Sequence, residues 1–576
     1  MRKRVMTVFC VASLLTLALI VRLIDLQVLN SQYKIYAVEN SRYAVKIPAS
    51  RGSILDTKGK VLAQSVKINV CYMVPENIQD HKAAAKQFAQ ILSLDEIDVQ
   101  KKMEQKGAVL LKKDLTKEET KEIEKLDSSD VFIKIENGRY YPNEDLAAHL
   151  LGFTNIDNEG SYGLELSYDK ILSGVPGKEM LSRSISGERV SYKDEMVFSE
   201  TPGETIVTTI DLGIQEILYQ RGKEAFESMN PKELILVAMN PNNGDILGMQ
   251  AFPNFNSNHP RDIAAKQIDQ TKKLSEDELL QEYFKLWNNP CISNMYEPGS
   301  VFKLITLSAA LEENTTDDSH VYYCDGFVYD LLGEFDVRCW SWNNPHGTQD
   351  ISHALTNSCN PAFVQIAREL GKEKLYEYII GFGFGELTGI ELPGETYGEM
   401  PKSIDEIRPL ELATLSFGHG IATTPIQTIS AVSAVVNGGK LYRLRIVKET
   451  LNSRGEVVQK IPIVEKRQVI SENTSTKMRN YMQRVIDDGI GIVQIPGYNI
   501  GGKTGTTVKL VDGKYDDEYR LHSFVSTFPA DKPDIVLLAM MDESFQGLNP
   551  NLTLTKWILS DIISYKKYES KVQTGE

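Results

Sequence analysis

The sequence predicts an α+β multidomain protein, with an N-terminal transmembrane helix followed by two further domains. Three observations support this. The chain has 576 residues, which is too long for one compact core. An uncharged apolar run near the N-terminus has the length of a membrane span. Strand-like segments flank a helix-rich region in the later part of the chain, which indicates an α/β C-terminal domain.

Composition excludes several classes of protein. The 42% apolar and 24% charged residues are ordinary for a globular protein, and the formal charge of -15 argues against a nucleic acid partner. The eight histidines include no H-E-x-x-H motif, and the cysteines include no C-x-x-C motif. The sequence therefore predicts no metal, no cofactor and no disulfide scaffold. The six cysteines are Cys10, Cys71, Cys291, Cys324, Cys339 and Cys359.

The N-terminus predicts a membrane anchor. A basic cluster at residues 2–4 precedes an uncharged apolar run over 5–21. We expect a cytoplasmic tail at 1–4, a single span at 5–24 in the plasma membrane, and the bulk of the chain outside. A cleaved signal peptide is the alternative, but no small-x-small cleavage site follows the run.

Residues 25–200 are predicted to form a separate N-terminal domain. Two short segments, 51–56 and 61–63, flank a Lys/Gly turn and predict a hairpin. Residues 80–128 are rich in charge and have helical periodicity, which predicts a solvated helical insertion.

Residues 201–568 are predicted to form one α/β domain, followed by a polar tail at 569–576. Residues 205–210 alternate like a strand, and Asp211 can cap the helix that follows. Two apolar runs within 234–249 flank a Pro/Asn/Gly turn and predict a buried hairpin.

The end of this domain returns to strands, near Lys503 and at 535–539, before a last apolar helix at about 552–565. Strands at both ends with helices between them predict an α/β sandwich, whose sheet is closed by both ends of the domain.

Ser300 and Lys303 form a Ser-x-x-Lys pair at the start of a predicted helix. A Pro-Gly turn precedes Ser300 and an apolar run, 301–311, follows it. The turn places Ser300 at the helix N-terminus, where its backbone N–H can stabilise an anion. Lys303 lies one turn further on the same face, and a buried lysine with a lowered pKa can take the serine proton. The alternative is a capping serine, since the spacing recurs at Ser31/Lys34, Ser167/Lys170 and Ser564/Lys567.

Ser358 and Asn360 form a Ser-x-Asn motif. The same pattern occurs at Ser341/Asn343 and Ser471/Asn473, but the Ser358 motif ends a helical run, 351–357, and precedes a proline. Such a junction can direct short polar side chains into a cleft. Ser358 can relay a proton, and Asn360 can bind a substrate amide.

A third motif, Lys503-Thr504-Gly505-Thr506, follows two glycines. It is the only Lys-Thr-Gly triplet in the chain. Gly505 allows a strand edge to approach a ligand closely, and Lys503 with the threonine hydroxyls suits a carboxylate. A glycine-rich turn is the alternative.

Together the three motifs resemble the active-site set of serine β-lactamases and penicillin-binding proteins. The sequence is similar to the class B penicillin-binding proteins, which are membrane-anchored peptidoglycan D,D-transpeptidases. Thr507 stands where family members usually carry Ala. The resemblance covers nearly the whole chain, and includes the anchor, Arg51-Gly52, Asp56, Gly59, Leu62-Ala63, Gly163-Leu164-Glu165, Tyr296-Glu297-Pro298-Gly299-Ser300, Ser416-Phe417-Gly418-His419-Gly420 and the Lys503 motif.

The resemblance implies a fold for each part of the chain. Residues 25–200 would form an elongated, mostly-β pedestal or dimerisation domain. Residues 201–568 would form a C-terminal α/β penicillin-binding domain of the serine β-lactamase type, with transpeptidase activity.

The resemblance also implies roles for the catalytic residues. Ser300 would attack the D-Ala-D-Ala carbonyl of a donor stem peptide and release D-Ala, with Lys303 as its general base. Ser358 would shuttle a proton, and Asn360 would position the donor amide. Lys503 completes the predicted catalytic set.

The remaining roles concern substrate binding. Thr504 and Thr506, on the strand that carries Gly505, would hold the donor carboxylate together with Lys503. The backbone N–H groups of Ser300 and Thr506 would form the oxyanion hole. An amine from a second peptide would then resolve the acyl-enzyme, and a β-lactam would mimic the donor and block Ser300.

The resemblance implies partners of a defined kind: peptidoglycan stem peptides, lipid-linked precursors, a membrane glycosyltransferase, and division or spore-septum proteins. Septal division and spore-cortex synthesis are both open. A D,D-carboxypeptidase, or a β-lactam hydrolase on the same fold, is one alternative activity. A non-catalytic β-lactam-binding scaffold or sensor is another. A sensor of this kind needs a signalling domain, and only three basic residues precede the anchor.

Cys359 lies inside the Ser-x-Asn motif, and Cys339 precedes it by 20 residues. Our hypothesis is that the two form a redox pair whose disulfide would distort the site. Some spore-forming members of the family carry a similar cysteine pattern. Cys324 is an alternative partner for Cys339, and a small buried residue at each position is the simpler interpretation.

Overall fold

The protein is described here by a computed structural model. It describes residues 2–26, 42–183, 189–190, 197–262, 274–329, 331, 337–511, 514–543 and 549–570. The Ser31/Lys34 pair and most of the predicted polar tail lie outside the described residues. The chain divides into two compact units, which are Met1–Arg51 with Ser173–Gly203 and Gly52–Leu172 with Glu204–Glu576. The predicted domain limits at 25–200 and 201–568 stay predictions.

The strands of the described residues are numbered in chain order. They are β1 (Arg42–Ile47), β2 (Ile54–Leu55), β3 (Val61–Met73), β4 (Val109–Lys112), β5 (Val131–Tyr140), β6 (Gly177–Arg183), β7 (Arg189–Val190), β8 (Val197–Phe198), β9 (Thr205–Thr208), β10 (Glu233–Met239), β11 (Ile246–Phe252), β12 (Val321–Cys324), β13 (Phe327–Val328), β14 (Val337–Arg338), β15 (Gly347–Asp350), β16 (Lys440–Tyr442), β17 (Val447–Leu451), β18 (Val457–Lys460), β19 (Glu465–Gln468), β20 (Gly501–Val511), β21 (Lys514–Phe528) and β22 (Ile535–Asp542).

The α-helices are numbered in the same way. They are α1 (Arg2–Ile24), α2 (His81–Leu92), α3 (Glu96–Lys102), α4 (Lys117–Glu124), α5 (Ala148–Leu151), α6 (Gly163–Ser167), α7 (Asp169–Leu172), α8 (Leu212–Met229), α9 (Glu276–Trp287), α10 (Pro290–Ser293), α11 (Lys303–Glu312), α12 (Ile351–Thr356), α13 (Asn360–Leu370), α14 (Lys372–Gly381), α15 (Pro409–Leu415), α16 (Pro425–Val436), α17 (Glu472–Arg484) and α18 (Pro550–Lys566).

The first unit contains the long apolar helix and a small sheet. Helix α1 has 23 residues, a mean hydropathy of 2.4 over its most apolar window, and no buried residue. Its length and composition allow it to cross a membrane, as predicted. The sheet has the order β1-β6-β7, with β8 also paired to β6. All of its pairings are antiparallel.

The second unit contains a seven-stranded sheet built from distant parts of the sequence. Its order is β18-β17-β9-β2-β3-β4, with β5 also paired to β3. The predicted hairpin is present as β2 and β3, and β2 pairs in parallel with β9. Ile54 and Ile206, which are partners in that register, are both fully buried. This sheet therefore joins residues 52–172 to the chain that follows Glu204 in one core.

A buried ion pair lies at the edge of this core. Arg139 Nε donates to Glu165 Oε1 at 2.6 Å, and the two side chains are 2% and 0% exposed. Arg139 Nη1 donates to the carbonyl of Gly52, and the Tyr141 hydroxyl donates to Glu165 Oε1. A buried charge is tolerated when it is paired and hydrogen-bonded in this way. Gly52 and Glu165 belong to segments that carry the family resemblance, which assigned them no role.

The predicted helical insertion is present, and it has a core of its own. Helices α2, α3 and α4 bury Phe88, Val99 and Ile123 respectively, in one cluster with residues of β3, β4 and β5. A charged outer face and an apolar inner face are typical of helices that cover a sheet.

The five-stranded sheet has the order β11-β10-β22-β21-β20 and is antiparallel throughout. It contains the predicted hairpin and the predicted last strands, so both ends of the domain meet in one sheet. Residues 234–239 and 535–541 are buried without alternation, so both faces of the sheet are covered. Helices α8 and α18 pack on each other and on this sheet, and α16 and α17 form a second pair that contacts it. Asp211 caps α8, as predicted.

Candidate active site

The first motif lies on a tight turn that leads into a buried helix. Gly299–Phe302 forms a 3-10 turn, and α11 begins at Lys303. The predicted helix is therefore present, although its first turn is wound more tightly than an α-helix. Gly299 has a φ of 53°, and a Cβ atom there would lie 2.8 Å from Thr507 Oγ1. Glycine is required because β20 passes so close to the turn.

The Lys303 ammonium group lies at the centre of the first two motifs. Its Nζ atom is 3.1 Å from Ser300 Oγ, 3.2 Å from Ser358 Oγ and 2.7 Å from Asn360 Oδ1. It also donates to the backbone carbonyl of Ser358 at 2.7 Å. The side chain is fully buried. A lysine has three N–H donors, so these four acceptors compete for its protons.

Ser358 connects all three motifs. It lies in the short turn between α12 and α13, with a φ of 51°, and its hydroxyl donates to Ser300 Oγ at 2.9 Å. Lys503 Nζ in turn donates to Ser358 Oγ at 3.1 Å. The structure therefore brings the predicted residues Ser300, Lys303, Ser358, Asn360 and Lys503 into one hydrogen-bonded group.

Lys503 is held on β20, which is an edge strand of the five-stranded sheet. The side chain is 1% exposed. Two residues on, a Cβ atom at Gly505 would lie 2.4 Å from Ser523 Oγ and 2.9 Å from the Pro298 carbonyl. Any larger residue would push the strand away from the turn that carries Ser300.

Thr504 and Thr506 line the accessible part of the same strand. Thr504 is half-buried and Thr506 is exposed, so a ligand can reach both hydroxyls. Thr506 Oγ1 also lies 3.5 Å from His522 Nδ1.

Burial dominates the electrostatics of the two lysines. Burial lowers the pKa of Lys303 to about 7, and the neighbouring thiols of Cys359 and Cys339 only partly oppose it. Burial also lowers the pKa of Lys503 well below its usual range, and the positive charge of Lys303 adds to this. The site therefore holds an amine that can be neutral near neutral pH and can accept a proton.

A loop that sequence reasoning left without a role closes one side of the site. Gly299 N–H donates to the Gly418 carbonyl at 3.1 Å, and Gly420 N–H donates to Glu297 Oε1 at 2.9 Å. His419 Nδ1 lies 3.3 Å from Glu297 Oε2. Burial raises the pKa of Glu297 and lowers the pKa of His419 to about 4. Glu297 and the glycines of 416–420 lie in two segments that carry the family resemblance. Those segments were the sequence signal that could have indicated this contact.

The structure also brings the predicted cysteine pair together. Cys339 and Cys359 are free thiols, both fully buried, and their Sγ atoms lie within 4.8 Å of each other. Cys324, the alternative partner, lies within the same distance. The hydrogen bond between the two thiols lowers the pKa of Cys339 and raises the pKa of Cys359. Pairing by a disulfide stays a prediction.

The rival motifs have ordinary structural contacts. Ser471 caps α17 by accepting from Thr474 N–H, and Ser341 Oγ donates to the Asn344 carbonyl. Ser564 Oγ donates to the Ser560 carbonyl within α18. These serines act in caps and turns, which is the common role of the residue.

Two family models match the sequence. The model for the penicillin binding protein transpeptidase domain matches residues 234–564, and the model for the penicillin-binding protein dimerisation domain matches residues 46–208. The second match covers strands of both compact units.

Relatives match over most of their length. Stage V sporulation protein D of Bacillus subtilis is 34% identical over 94% of this chain and 82% of its own. Peptidoglycan D,D-transpeptidase FtsI of Buchnera aphidicola is 27% identical over 94% of this chain and 90% of its own.

Solved structures share the fold. A peptidoglycan synthetase from Bifidobacterium adolescentis has a TM-score of 0.70 and 22% identity, covering 93% of this chain and 98% of its own. Penicillin binding protein 3 from Mycobacterium tuberculosis, complexed with aztreonam, has a TM-score of 0.68 and 22% identity. The match covers 91% of this chain and 98% of its own. The chain therefore belongs to the class B penicillin-binding proteins, the family of the peptidoglycan D,D-transpeptidases.

Proposed function

We propose that the protein cross-links peptidoglycan stem peptides through an acyl-enzyme on Ser300. The observation that carries this proposal is a fully buried lysine amine, that of Lys303, placed 3.1 Å from Ser300 Oγ with its pKa lowered to about 7. A hydroxyl is a weak nucleophile until a neighbouring base removes its proton, and a neutral lysine is such a base.

In the first step, Lys303 Nζ takes the proton from Ser300 Oγ while this oxygen bonds to the penultimate D-Ala carbonyl of the donor. The C–N bond to the terminal D-Ala then breaks, and a proton passes to the leaving amine. Ser358 Oγ lies 2.9 Å from Ser300 Oγ and 3.2 Å from Lys303 Nζ, which suits a proton shuttle between them.

In the second step, the amine of another stem peptide attacks the acyl carbon and displaces Ser300 Oγ. The same lysine removes a proton from the attacking amine, and the serine recovers its own. Water in place of the amine would give a D,D-carboxypeptidase, which is the alternative reaction at the same group.

Substrate binding is assigned to the edge strand β20. Among the described residues β20 is the last strand of its sheet, so an extended peptide could pair with it as an added strand. Lys503, Thr504 and Thr506 would hold the donor carboxylate, and Asn360 would orient the donor amide. The N–H groups of Ser300 and Thr506 would stabilise the oxyanion.

Acylation is tested by labelling with a fluorescent penicillin, followed by mass spectrometry of the labelled peptide. We expect the wild type to label on Ser300 and the Ser300→Ala variant not to label. Ser564→Ala, which removes a serine of the same Ser-x-x-Lys spacing on α18, is the matched control and should label normally. Labelling that persists in Ser300→Ala would refute the assignment.

Product analysis distinguishes the two reactions. The purified full-length protein is incubated with a lipid-linked precursor and a membrane glycosyltransferase. We expect cross-linked dimers together with free D-Ala, and a β-lactam should abolish both. Release of D-Ala with no cross-linked product would establish the carboxypeptidase instead.

The setting we propose is the outer face of the plasma membrane, with residues 1–4 cytoplasmic and the transpeptidase domain outside. The apolar helix α1 supports an anchor. The likeness to stage V sporulation protein D supports wall synthesis in sporulation, with a membrane glycosyltransferase as partner, and septal division is the alternative. A deletion strain decides: loss of spore heat resistance with normal vegetative division supports the first, and filamentous vegetative cells support the second.

A further inference from the structure

Beside the catalytic group lies a second cluster of reactive side chains that the proposed mechanism does not use. The Sγ atoms of Cys324, Cys339 and Cys359 and one ring nitrogen of His346 all lie within 4.8 Å of one another. The three cysteines are fully buried and the histidine is half-buried.

These four atoms have the number and type of the ligands in a tetrahedral zinc site. Ideal Zn–S and Zn–N bonds place two sulfurs about 3.8 Å apart, and a sulfur and a nitrogen about 3.6 Å apart. Cys339 Sγ and His346 Nδ1 are 3.5 Å apart. A cation at the centre would need only small inward movements of the remaining ligands.

The backbone brings the ligands from separate elements. Cys324 ends β12 and is paired with Gly347, so His346 lies next to it across the sheet. Cys339 directly follows β14, and its N–H donates to the Gly326 carbonyl at 2.8 Å. Cys359 directly precedes α13. The spacing along the sequence therefore predicted no zinc site, because none of the four forms a C-x-x-C or H-x-x-x-H pair.

We propose that Cys324, Cys339, Cys359 and His346 bind one Zn²⁺ ion as a closed Cys3His site. Three thiolates and an imidazole complete a tetrahedron, so no position is left open for substrate, and the ion is structural. Binding releases the protons of the thiols to solvent, and no oxidant or reductant is required.

The ion would act as a positioning element for the Ser-x-Asn motif. Cys359 lies between Ser358 and Asn360, whose side chains contact Lys303. Asn360 Nδ2 also donates to the carbonyl of Arg338, the residue before Cys339, at 3.3 Å. A metal bond to Cys339 and Cys359 would fix both ends of this link, and with them the left-handed turn at Ser358.

A disulfide between Cys339 and Cys359 would consume two of the four ligands, so the metal site and the redox pair exclude each other. Reducing conditions keep the thiols available as metal ligands. We therefore treat the disulfide as a competing outcome.

The test begins with elemental analysis of the full-length protein, purified in detergent under reducing conditions without chelators. We expect about one equivalent of zinc per chain. Replacement by Co²⁺ should give sulfur-to-cobalt charge-transfer absorption and intense visible bands of tetrahedral cobalt. Cys339→Ser and His346→Ala should each weaken the apparent metal affinity at least about tenfold.

Two controls keep this result separate from folding and from the proposed reaction. Cys71→Ser removes a buried cysteine outside the cluster and should keep both metal and penicillin labelling. Ser300→Ala should keep the metal while it loses labelling. His346→Ala should label about tenfold more slowly than the wild type while it retains a cooperative unfolding transition.

Two results would overturn the proposal. One is a wild-type protein that carries no thiophilic metal and gives no cobalt bands on titration. The other is non-reducing peptide mapping that finds Cys339 joined to Cys359 in protein kept under the same reducing conditions. Neither result depends on whether Ser300 is acylated.

Discussion

Two regions of the second unit bury a long cationic side chain, and they compensate its charge differently. In the N-terminal part, Arg139 pairs with the Glu165 carboxylate at 2.6 Å and also binds the Gly52 carbonyl. At the proposed catalytic group, Lys303 and Lys503 are equally buried. Within the described residues, the hydrogen bonds recorded for them run to hydroxyl, amide and carbonyl oxygens.

The difference shows that the free-energy cost of burying a positive charge can be met in two ways, one that stabilises the fold and one that prepares a base. A buried cation with a carboxylate beside it keeps its charge and holds distant segments of the chain together. A buried amine with only neutral acceptors lowers the cost by giving up its proton, and then it can act as a base. The pKa of Lys303, lowered to about 7 by burial, is the sign of the second case.

The comparison is tested most severely by Lys303→Arg, which keeps the length and the charge. A guanidinium cannot lose its proton in this pH range, so it cannot serve as the base. We expect acylation of Ser300 by a fluorescent penicillin to slow by about 10³-fold or more. Lys102→Arg, at a partly buried lysine that donates to the Leu111 carbonyl, is the matched control and should acylate normally. Near-normal acylation by Lys303→Arg would mean that another group is the base.

The structural role of the buried Arg139–Glu165 ion pair is tested by Glu165→Gln. This change leaves the Arg139 charge buried without its carboxylate, which costs about 3–5 kcal/mol in the free energy of unfolding. Denaturant unfolding measures the loss, and the folded fraction should still acylate at the wild-type rate. Glu122→Gln, which breaks the exposed pair with Lys125, should cost less than about 1 kcal/mol. A slower acylation by folded Glu165→Gln protein would show that the ion pair is coupled to the site.

A pH profile tests the neutral lysine in the unmodified protein. Lys303 must be neutral to accept a proton, so acylation should rise about tenfold per pH unit below about 7 and level off above it. Groups that face the amine are Lys503, His419 and the thiols of Cys339 and Cys359. Stopped-flow acylation, with folding checked by circular dichroism at each pH, gives the profile. A rate that does not change through this range would remove Lys303 as the base.

The sequence identified the residues of the proposed catalytic group because their signals are local. Ser300 with Lys303 lies within one helical turn, and the strand of Lys503 contains a run with a single match in the chain. The resemblance implied that these residues share one site, and the structure supplied their contacts with Ser358. Periodicity and caps predicted the elements at the two ends of the C-terminal domain, as in the case of the Asp211 cap, but not the short strands β12 to β19 between them.

The remaining features depend on contacts between residues far apart in sequence. The parallel pairing of β2 with β9 joins residues more than 150 positions apart, and no local pattern indicates it. The same holds for the cluster of Cys324, Cys339, His346 and Cys359, whose spacing resembles no metal motif. Thr507 is a further example. The sequence showed it only as a departure from the family pattern, and its hydrogen bond to Glu297 is known from the structure.

Replacing Thr507 gives the smallest expected effect. It tests whether the Lys303 amine needs the hydrogen bond that holds β20 beside the Ser300 turn. Thr507 Oγ1 donates to the Glu297 carbonyl at 2.8 Å, which ties β20 to the residues just before the Ser300 turn. Thr507→Ala should lower the free energy of unfolding by about 0.5–1.5 kcal/mol, and slow acylation less than about tenfold. Thr209→Ala removes a comparable buried bond to the Ile246 carbonyl, and should lower stability while the acylation rate stays unchanged. If Thr507→Ala also leaves that rate unchanged, then β20 is held in place by the close packing at Gly299 and Gly505 alone, and the poised amine does not need this hydrogen bond.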